Sequence, residues 1–345
     1  MAIPTEVCRR WFGADLTPSP LRGGLSGGTT WSVTHEGRRF VLKGLVAPAG
    51  RGHLAWVHEF MQHVRAARDV PVPAVAVGLD GDTVQADAAG GLWELVEWLP
   101  GHATVQPSAG QAAAAAAVLA WVHRTAVAWP GQPVRRDQSP GVLHRVARAR
   151  DLLARPWATR LASGARGPLL ERFVRAVETF AERGGQEAVA RVAKWESRPV
   201  PLQPVLRDVW SDHVLFVDDR VTGMIDWHAA GIDTPATDIA RLLGSWPRAA
   251  VIRREFLASY EAVRPLEPEE ARLVPFLQAT GTLFGLDNWF RWLMEEKRPF
   301  ADTCLVESRV DVLLGALPDA VETLVGSEID RRKTSQLEFF HENKS

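Results

Sequence analysis

Leu206-Arg207-Asp208-Val209-Trp210-Ser211-Asp212-His213-Val214-Leu215-Phe216, followed by Met224-Ile225-Asp226-Trp227, is the stretch on which the reading of this chain turns. Two short apolar runs, Val214 to Val217 and Val221 to Ile225, are interrupted by the polar Asp218-Asp219-Arg220, the pattern of a β-hairpin. Asp208 then falls in the loop entering the hairpin and Asp226 at its exit. Phosphoryl transfer asks a protein for little covalent chemistry: a carboxylate to orient the acceptor hydroxyl, and oxygen ligands to hold a metal on the phosphates. Asp208 suits the first task and Asp226 the second. Any one of these aspartates could equally be a turn former beside a strand, so the argument rests on their joint spacing.

At these residues the chain resembles the aminoglycoside phosphotransferase and choline kinase-like superfamily. That superfamily's catalytic loop reads roughly H-G-D-x-x-x-x-N, and its metal segment I-D-W/F-x-x-A-x-x-x-D-P-x-x-D-L-A. The second pattern is met by Ile225 to Leu243, with Thr234 standing where aspartate is usual before Pro235. The resemblance implies an α+β, bilobal protein kinase-like fold with a small antiparallel-sheet N-lobe and a larger, mainly helical C-lobe carrying the catalytic hairpin. It implies ATP and Mg²⁺ as cofactors, a small-molecule hydroxyl acceptor, Asp208 as catalytic base, Asp226 as metal ligand and Asp238 as a structural aspartate. Asp238 also suits N-terminal capping of the helix that follows. Two departures stand out. Leu206-Arg207 replaces His-Gly, and His213 occupies the second metal position, where an imidazole serves magnesium poorly and transition metals, Mn²⁺ among the alternatives, better.

A nucleotide-binding region should lie upstream. Leu21 to Val33 is a glycine-rich turn in which Gly24, Ser26, Gly27 and Gly28 could let backbone N–H groups approach phosphates, although glycines at a hairpin also simply satisfy turn geometry. Arg39-Phe40-Val41-Leu42-Lys43 is an apolar strand ending in a lysine, the placement that kinases use to hold the α/β-phosphates. Apolar residues at 54, 57, 60, 61 and 64 predict a helix whose Glu59 would pair with that lysine. Leu92 to Gly101 resembles the superfamily's hinge, with backbone groups near Glu97, Trp98 and Leu99 facing the adenine, and Leu119 to Arg124 resembles its L-A-x-L-H helix.

Patterning changes near Pro100-Gly101, which divides the chain into 1–101, a nucleotide-binding lobe, 102–329, a catalytic and acceptor-binding lobe, and 330–345, a charged tail. With 345 residues, a net charge of −1 and 23% charged residues, neither a nucleic-acid partner nor a disordered chain is indicated. The two cysteines, Cys8 and Cys304, form no motif, and no apolar run is long enough to span a bilayer, so a cytoplasmic protein is expected. The acceptor is the least legible feature. Asp287, Trp289 and Trp292 offer an indole pair at helical spacing beside a carboxylate, as a cationic acceptor would favour, but with 14 tryptophans in the chain core packing explains such a pair as well. Two other readings stay open: a nucleotide-binding protein with little catalysis, and a metal-dependent hydrolase using Asp208, Asp212, His213, Asp226 and His228.

Overall fold

The computed structural model describes residues 4–21, 28–45, 50–67, 70–131, 134–161, 168–195, 198–300 and 303–326. Along the chain the elements run α1 (Thr5–Phe12), β1 (Ser19–Pro20), β2 (Thr29–His35), β3 (Arg38–Leu45), α2 (Arg51–Ala67), β4 (Val84–Ala86), β5 (Leu92–Glu97) and α3 (Ala109–Val127). There follow β6 (Arg135–Asp137), α4 (Pro140–Ala154), α5 (Trp157–Leu161), α6 (Pro168–Glu182), α7 (Gly185–Ala193), β7 (Val200–Val205), β8 (Val214–Val217), β9 (Arg220–Met224) and β10 (Gly231–Asp233). Helices α8 (Ala236–Gly244), α9 (Ala250–Val263), α10 (Pro268–Phe290) and α11 (Thr303–Gly326) complete the order. The chain divides into two compact units, one within Met1–Arg136 and Pro201–Glu267, the other within Asp137–Val200 and Pro268–Ser345. The change from sheet to helix read at residue 101 falls inside the first unit.

In the first unit an antiparallel sheet of order β1-β2-β3-β5-β4 carries the nucleotide-lobe motifs. Its strands alternate, so Val33, Leu42 and Leu95 turn to one face and pack with Trp31 against Val7, Cys8 and Trp11 of α1. A buried side chain of this size contributes about 1.5–3 kcal/mol, which anchors β3 and β5 side by side. Their register sets Lys43 directly opposite Glu94.

The predicted hairpin is present as β8 and β9, with Val217 opposite Arg220 and Asp218 in a left-handed turn conformation at φ 53°. Its turn is docked onto α3. Ser108 caps that helix by accepting from Gln111 N–H at 3.0 Å, and the Gln111 side chain accepts from Ser108 N–H in return. Ser108 also bonds Asp219, and Gln111 donates to the Asp218 carbonyl. Gly101, at φ 117°, lets the segment after β5 run against the hairpin, because a Cβ there would lie 2.8 Å from the Phe216 carbonyl oxygen. Among the described residues no helix is long and apolar enough to cross a membrane.

Asp238 does not cap α8. It sits inside the first turn, fully buried, and its carboxylate reaches back to accept from Leu206 N–H and Arg207 N–H, each at 2.7 Å. His123 of α3 stands 3.0 Å from the same carboxylate and bonds the Tyr260 hydroxyl of α9 at 2.7 Å. One buried side chain thus holds the Asp208 loop to three helices. Asp238→Ala would remove the acceptor of the Leu206 and Arg207 N–H groups and the buried carboxylate beside His123, and should cost about 3–5 kcal/mol of unfolding free energy, read as a shift in the urea midpoint.

Candidate active site

Lys43, Glu94, Asp226 and His228 converge beside a cavity of about 340 Å³ lined by these four residues with Thr30, Val41, Val57, Val96, Glu97, Trp98, Leu99 and Ile225 among others. Lys43 Nζ lies 3.2 Å from Asp226 Oδ1 and 3.9 Å from Glu94 Oε1. His228 Nδ1 stands 2.9 Å from Asp226 Oδ1, and its Nε2 makes a 2.8 Å ion-pair contact with Glu94 Oε1 at an angle poor for a hydrogen bond. With both ring nitrogens facing carboxylate oxygens, the imidazolium is the favoured form. Burial pulls the His228 pKa down, but Glu94 and Asp226 outweigh it and push it up to about 9. Burial would raise Asp226 and Glu94; the charges of Lys43 and His228, with the hydrogen bonds His228 and His58 donate, hold both carboxyls well below the usual range.

Helix α2 takes a different part from the one its sequence suggested. Glu59 is exposed, and the described ion-pair partners of Lys43 are Asp226 and Glu94. The inward residue is His58, buried to 1% exposure, which bonds Glu94 Oε2 and Thr83 Oγ1, each at 2.8 Å. Carboxylate Oε2 accepts only, so Nε2–H donates to it, while Nδ1 bonds the Thr83 hydroxyl. The same helix reaches the segment after β9, since His53 Nε2 lies 3.0 Å from the His228 carbonyl and Phe60 packs edge-on to the buried Trp227.

Asp208 and His213 follow from the hairpin entry. Asp208 Oδ1 receives Arg241 Nε at 2.8 Å, a second Arg241 N–H and Trp210 Nε1, while Oδ2 carries no hydrogen bond among the described residues. Arg241 is stacked over the Trp210 ring at 4.3 Å. His213 Nδ1 lies 2.7 Å from the Asp208 carbonyl oxygen, which can only accept, so Nδ1 carries a proton. Nε2 then faces Asp226 Oδ2 at 3.3 Å. Two lone pairs cannot stably face each other at that distance; a cation belongs between them, either a proton on Nε2 or a metal ion. The donor pair therefore fits one divalent cation completed by ligand oxygens. Among the described residues no three His, Cys, Asp or Glu side chains converge on one metal position.

Glu97, Trp98 and Leu99, the residues expected to form a hinge, line the cavity. Glu97 N–H and Trp98 N–H are used by the Ala74 and Arg39 carbonyls, whereas Leu99 N–H has no partner among the described residues. The Glu97 side chain turns away to Arg65 and Ala74 N–H, and Trp98 lies under Arg39 at 3.5 Å. Of the glycine-rich turn, Gly24, Ser26 and Gly27 lie outside the described residues; Gly28 enters β2 beside the Gly44 carbonyl.

A lysine on a sheet strand facing a carboxylate at the exit of a hairpin, with a second carboxylate at the hairpin's entry, is the arrangement of a kinase-like phosphotransferase. Residues 17–274 match the model of the phosphotransferase enzyme family, and the chain belongs to that family. A homoserine kinase of Azorhizobium caulinodans is 28% identical over 241 residues, 68% of each chain. An aminoglycoside phosphotransferase of Alicyclobacillus acidocaldarius superposes over 95% of both chains with a TM-score of 0.62 at 16% identity. A spectinomycin phosphotransferase solved with ADP and spectinomycin covers 95% of this chain and 99% of its own, with a TM-score of 0.63 at 12% identity. At such identities the structural likeness carries the fold: an antiparallel sheet region followed by a mainly helical remainder.

The acceptor candidates belong to the second unit. Asp287, on α10, is saturated by its neighbours: Arg160 donates to Oδ1 at 2.6 Å, Trp157 Nε1 to Oδ1 at 2.9 Å, and Arg148 to Oδ2. It ties α4 and α5 to α10. Trp289 is buried and meets Trp292 edge-on at 5.2 Å and Phe300 at 5.5 Å, so its indole is packed against rings of its own chain. Burial would raise the Asp287 pKa, but bonds from Trp157, Arg160 and Arg148 hold it below its ordinary 3.8. A depressed folded pKa gives stability that is complete above the unfolded value and lost as pH falls through the folded one. Asp287→Asn should therefore cost about 2 kcal/mol at pH 7, and its difference in Tm from wild type should shrink once pH drops below about 3.8.

Proposed function

We propose that this protein is an ATP-dependent kinase that transfers the γ-phosphoryl group to a hydroxyl of a small molecule. The observation that carries this reading is the contact between Lys43 and Asp226, 183 positions apart in sequence, at the wall of a cavity closed by a hinge-like strand end. Leu99 N–H is the donor open to an adenine edge, and Lys43 the cation for the α/β-phosphates. Asp208 orients the acceptor hydroxyl through Oδ2, the oxygen left open while Arg241 and Trp210 occupy Oδ1. The acceptor oxygen forms the new bond to phosphorus, the bond between phosphorus and the β,γ-bridging oxygen breaks, ADP leaves, and the hydroxyl proton passes to Asp208 and on to solvent. Asp226 and His213 would hold the divalent cation, Mg²⁺ or Mn²⁺, which neutralises phosphate charge when bound.

Homoserine heads the acceptor panel because a relative covering two thirds of the chain carries that activity in its name, and amino alcohols and aminoglycosides complete it. Purified protein should consume ATP with at least one member, and Asp208→Asn should lower kcat by about 10²–10⁴-fold. No turnover with any acceptor, or equal turnover in both proteins, would sink the reading and leave nucleotide binding without catalysis. His213→Asn replaces an imidazole nitrogen by an amide oxygen, so turnover with Mg²⁺ should rise relative to Mn²⁺; an unchanged ratio would show that His213 is packed and not a ligand.

A further inference from the structure

Resting on the nucleotide-binding reading above, we propose that Glu94 is the positioning residue for the phosphate-binding lysine, and that the same carboxylate latches the Asp226-Trp227-His228 segment. The lysine's counter-charge thus belongs to the sheet instead of to helix α2.

The cross-strand register places Lys43 and Glu94 directly opposite on β3 and β5, so their separation is set by backbone hydrogen bonding. Glu94 is 3% exposed and its two oxygens are divided, Oε1 facing Lys43 and His228, Oε2 taking the His58 bond. Asp226 is closer to Lys43, but it also meets His228 and His213 and is the carboxylate placed to receive a cation. Once Asp226 is so engaged, Glu94 is the anion left to Lys43. Its other partner, His228, lies two residues beyond Asp226, so the carboxylate oxygen that faces the lysine also holds, through an ion pair, the segment carrying Asp226. Helix α2 acts on this arrangement only from behind, through His58. A swing of α2 would therefore loosen Glu94 without carrying away the carboxylate, and the lysine stays set in the absence of an activating helix movement.

The test uses the full chain and reads affinity for a fluorescent ATP analogue by titration, with Tm recorded for each variant. Glu94→Gln preserves volume and should weaken nucleotide binding about tenfold, whereas Glu59→Gln should leave it unchanged. The decisive measurement is the cycle with Lys43→Met. If Glu94 acts through the lysine, Glu94→Gln adds little to the loss already caused by Lys43→Met; additive losses would mean that Glu94 merely supports the fold, and would overturn the proposal. Equal affinity of Glu94→Gln and wild type, or a loss confined to Glu59→Gln, would overturn it as well. Should Glu94→Gln not fold, His58→Asn takes its place in the cycle, with a smaller loss and the same non-additivity expected; additivity there is again contrary. A wild-type protein that binds no nucleotide would instead overturn the functional reading itself.

Discussion

The structure depends on keeping two neighbouring carboxylates charged, Glu94 buried and Asp226 partly open to solvent. Asp226 and Glu94 share the cations of Lys43 and His228, and the buried Glu94 would be neutral or expelled without them. At an effective dielectric of 20 a pair of unit charges 4 Å apart is worth roughly 4 kcal/mol, comparable to the desolvation it must offset, so the cluster is stable only as a set. This is why its members come from four places: β3, β5, the exit of β9 and, behind them, α2. Each element must dock for the charges to balance, and docking of each is in turn required by the others.

The second constraint is on the backbone. Arg207 and Asp226, each at the edge of a functional loop, adopt left-handed conformations at φ 63° and 66°, which cost a non-glycine residue on the order of 1 kcal/mol. The superfamily pattern has glycine at the position of Arg207, where such a φ is free. Here the strain is held by the Asp238 carboxylate, which binds the N–H of Arg207 itself, and by the His123 and Tyr260 bonds behind it. On the other side, Ile225 N–H bonds the His213 carbonyl at 2.9 Å and Met224 N–H the Pro71 carbonyl at 2.7 Å, fixing the turn before Asp226.

The hairpin was legible because a polar turn interrupts two apolar runs, and Asp226 and Lys43 because each follows an apolar run, although Lys43 lies inside β3, which continues to Leu45, and not at its end. Glu59 misled because a helical period identifies a face only to within a residue. Position 58 falls four after 54 and three before 61, on the buried stripe, and that spacing was the available signal for His58. Glu94 left no comparable trace. It sits mid-strand between Trp93 and Leu95, and its meaning comes from standing opposite Lys43, a register that sequence does not display. Asp238 was recognised as structural, yet an acidic residue in a first helical turn looks the same whether it caps its own helix or reaches 31 and 32 positions back to another loop.

His213 draws these threads together through its size. The imidazole spans from the Asp208 carbonyl on one side to Asp226 Oδ2 on the other, so the loop of the proposed base and the carboxylate at the hairpin exit are joined by one rigid ring. An asparagine at 213 has one fewer atom of reach and could satisfy one of these neighbours but not both in this geometry. The histidine is therefore coupled to another departure from the superfamily pattern and to Arg241: a non-glycine residue at 207 stiffens the loop before Asp208, Arg241 pins one oxygen of its carboxylate, and His213 ties its carbonyl. Asp208 is left with one free oxygen in a fixed direction, as a residue must be if its task is to orient a hydroxyl rather than to search for it.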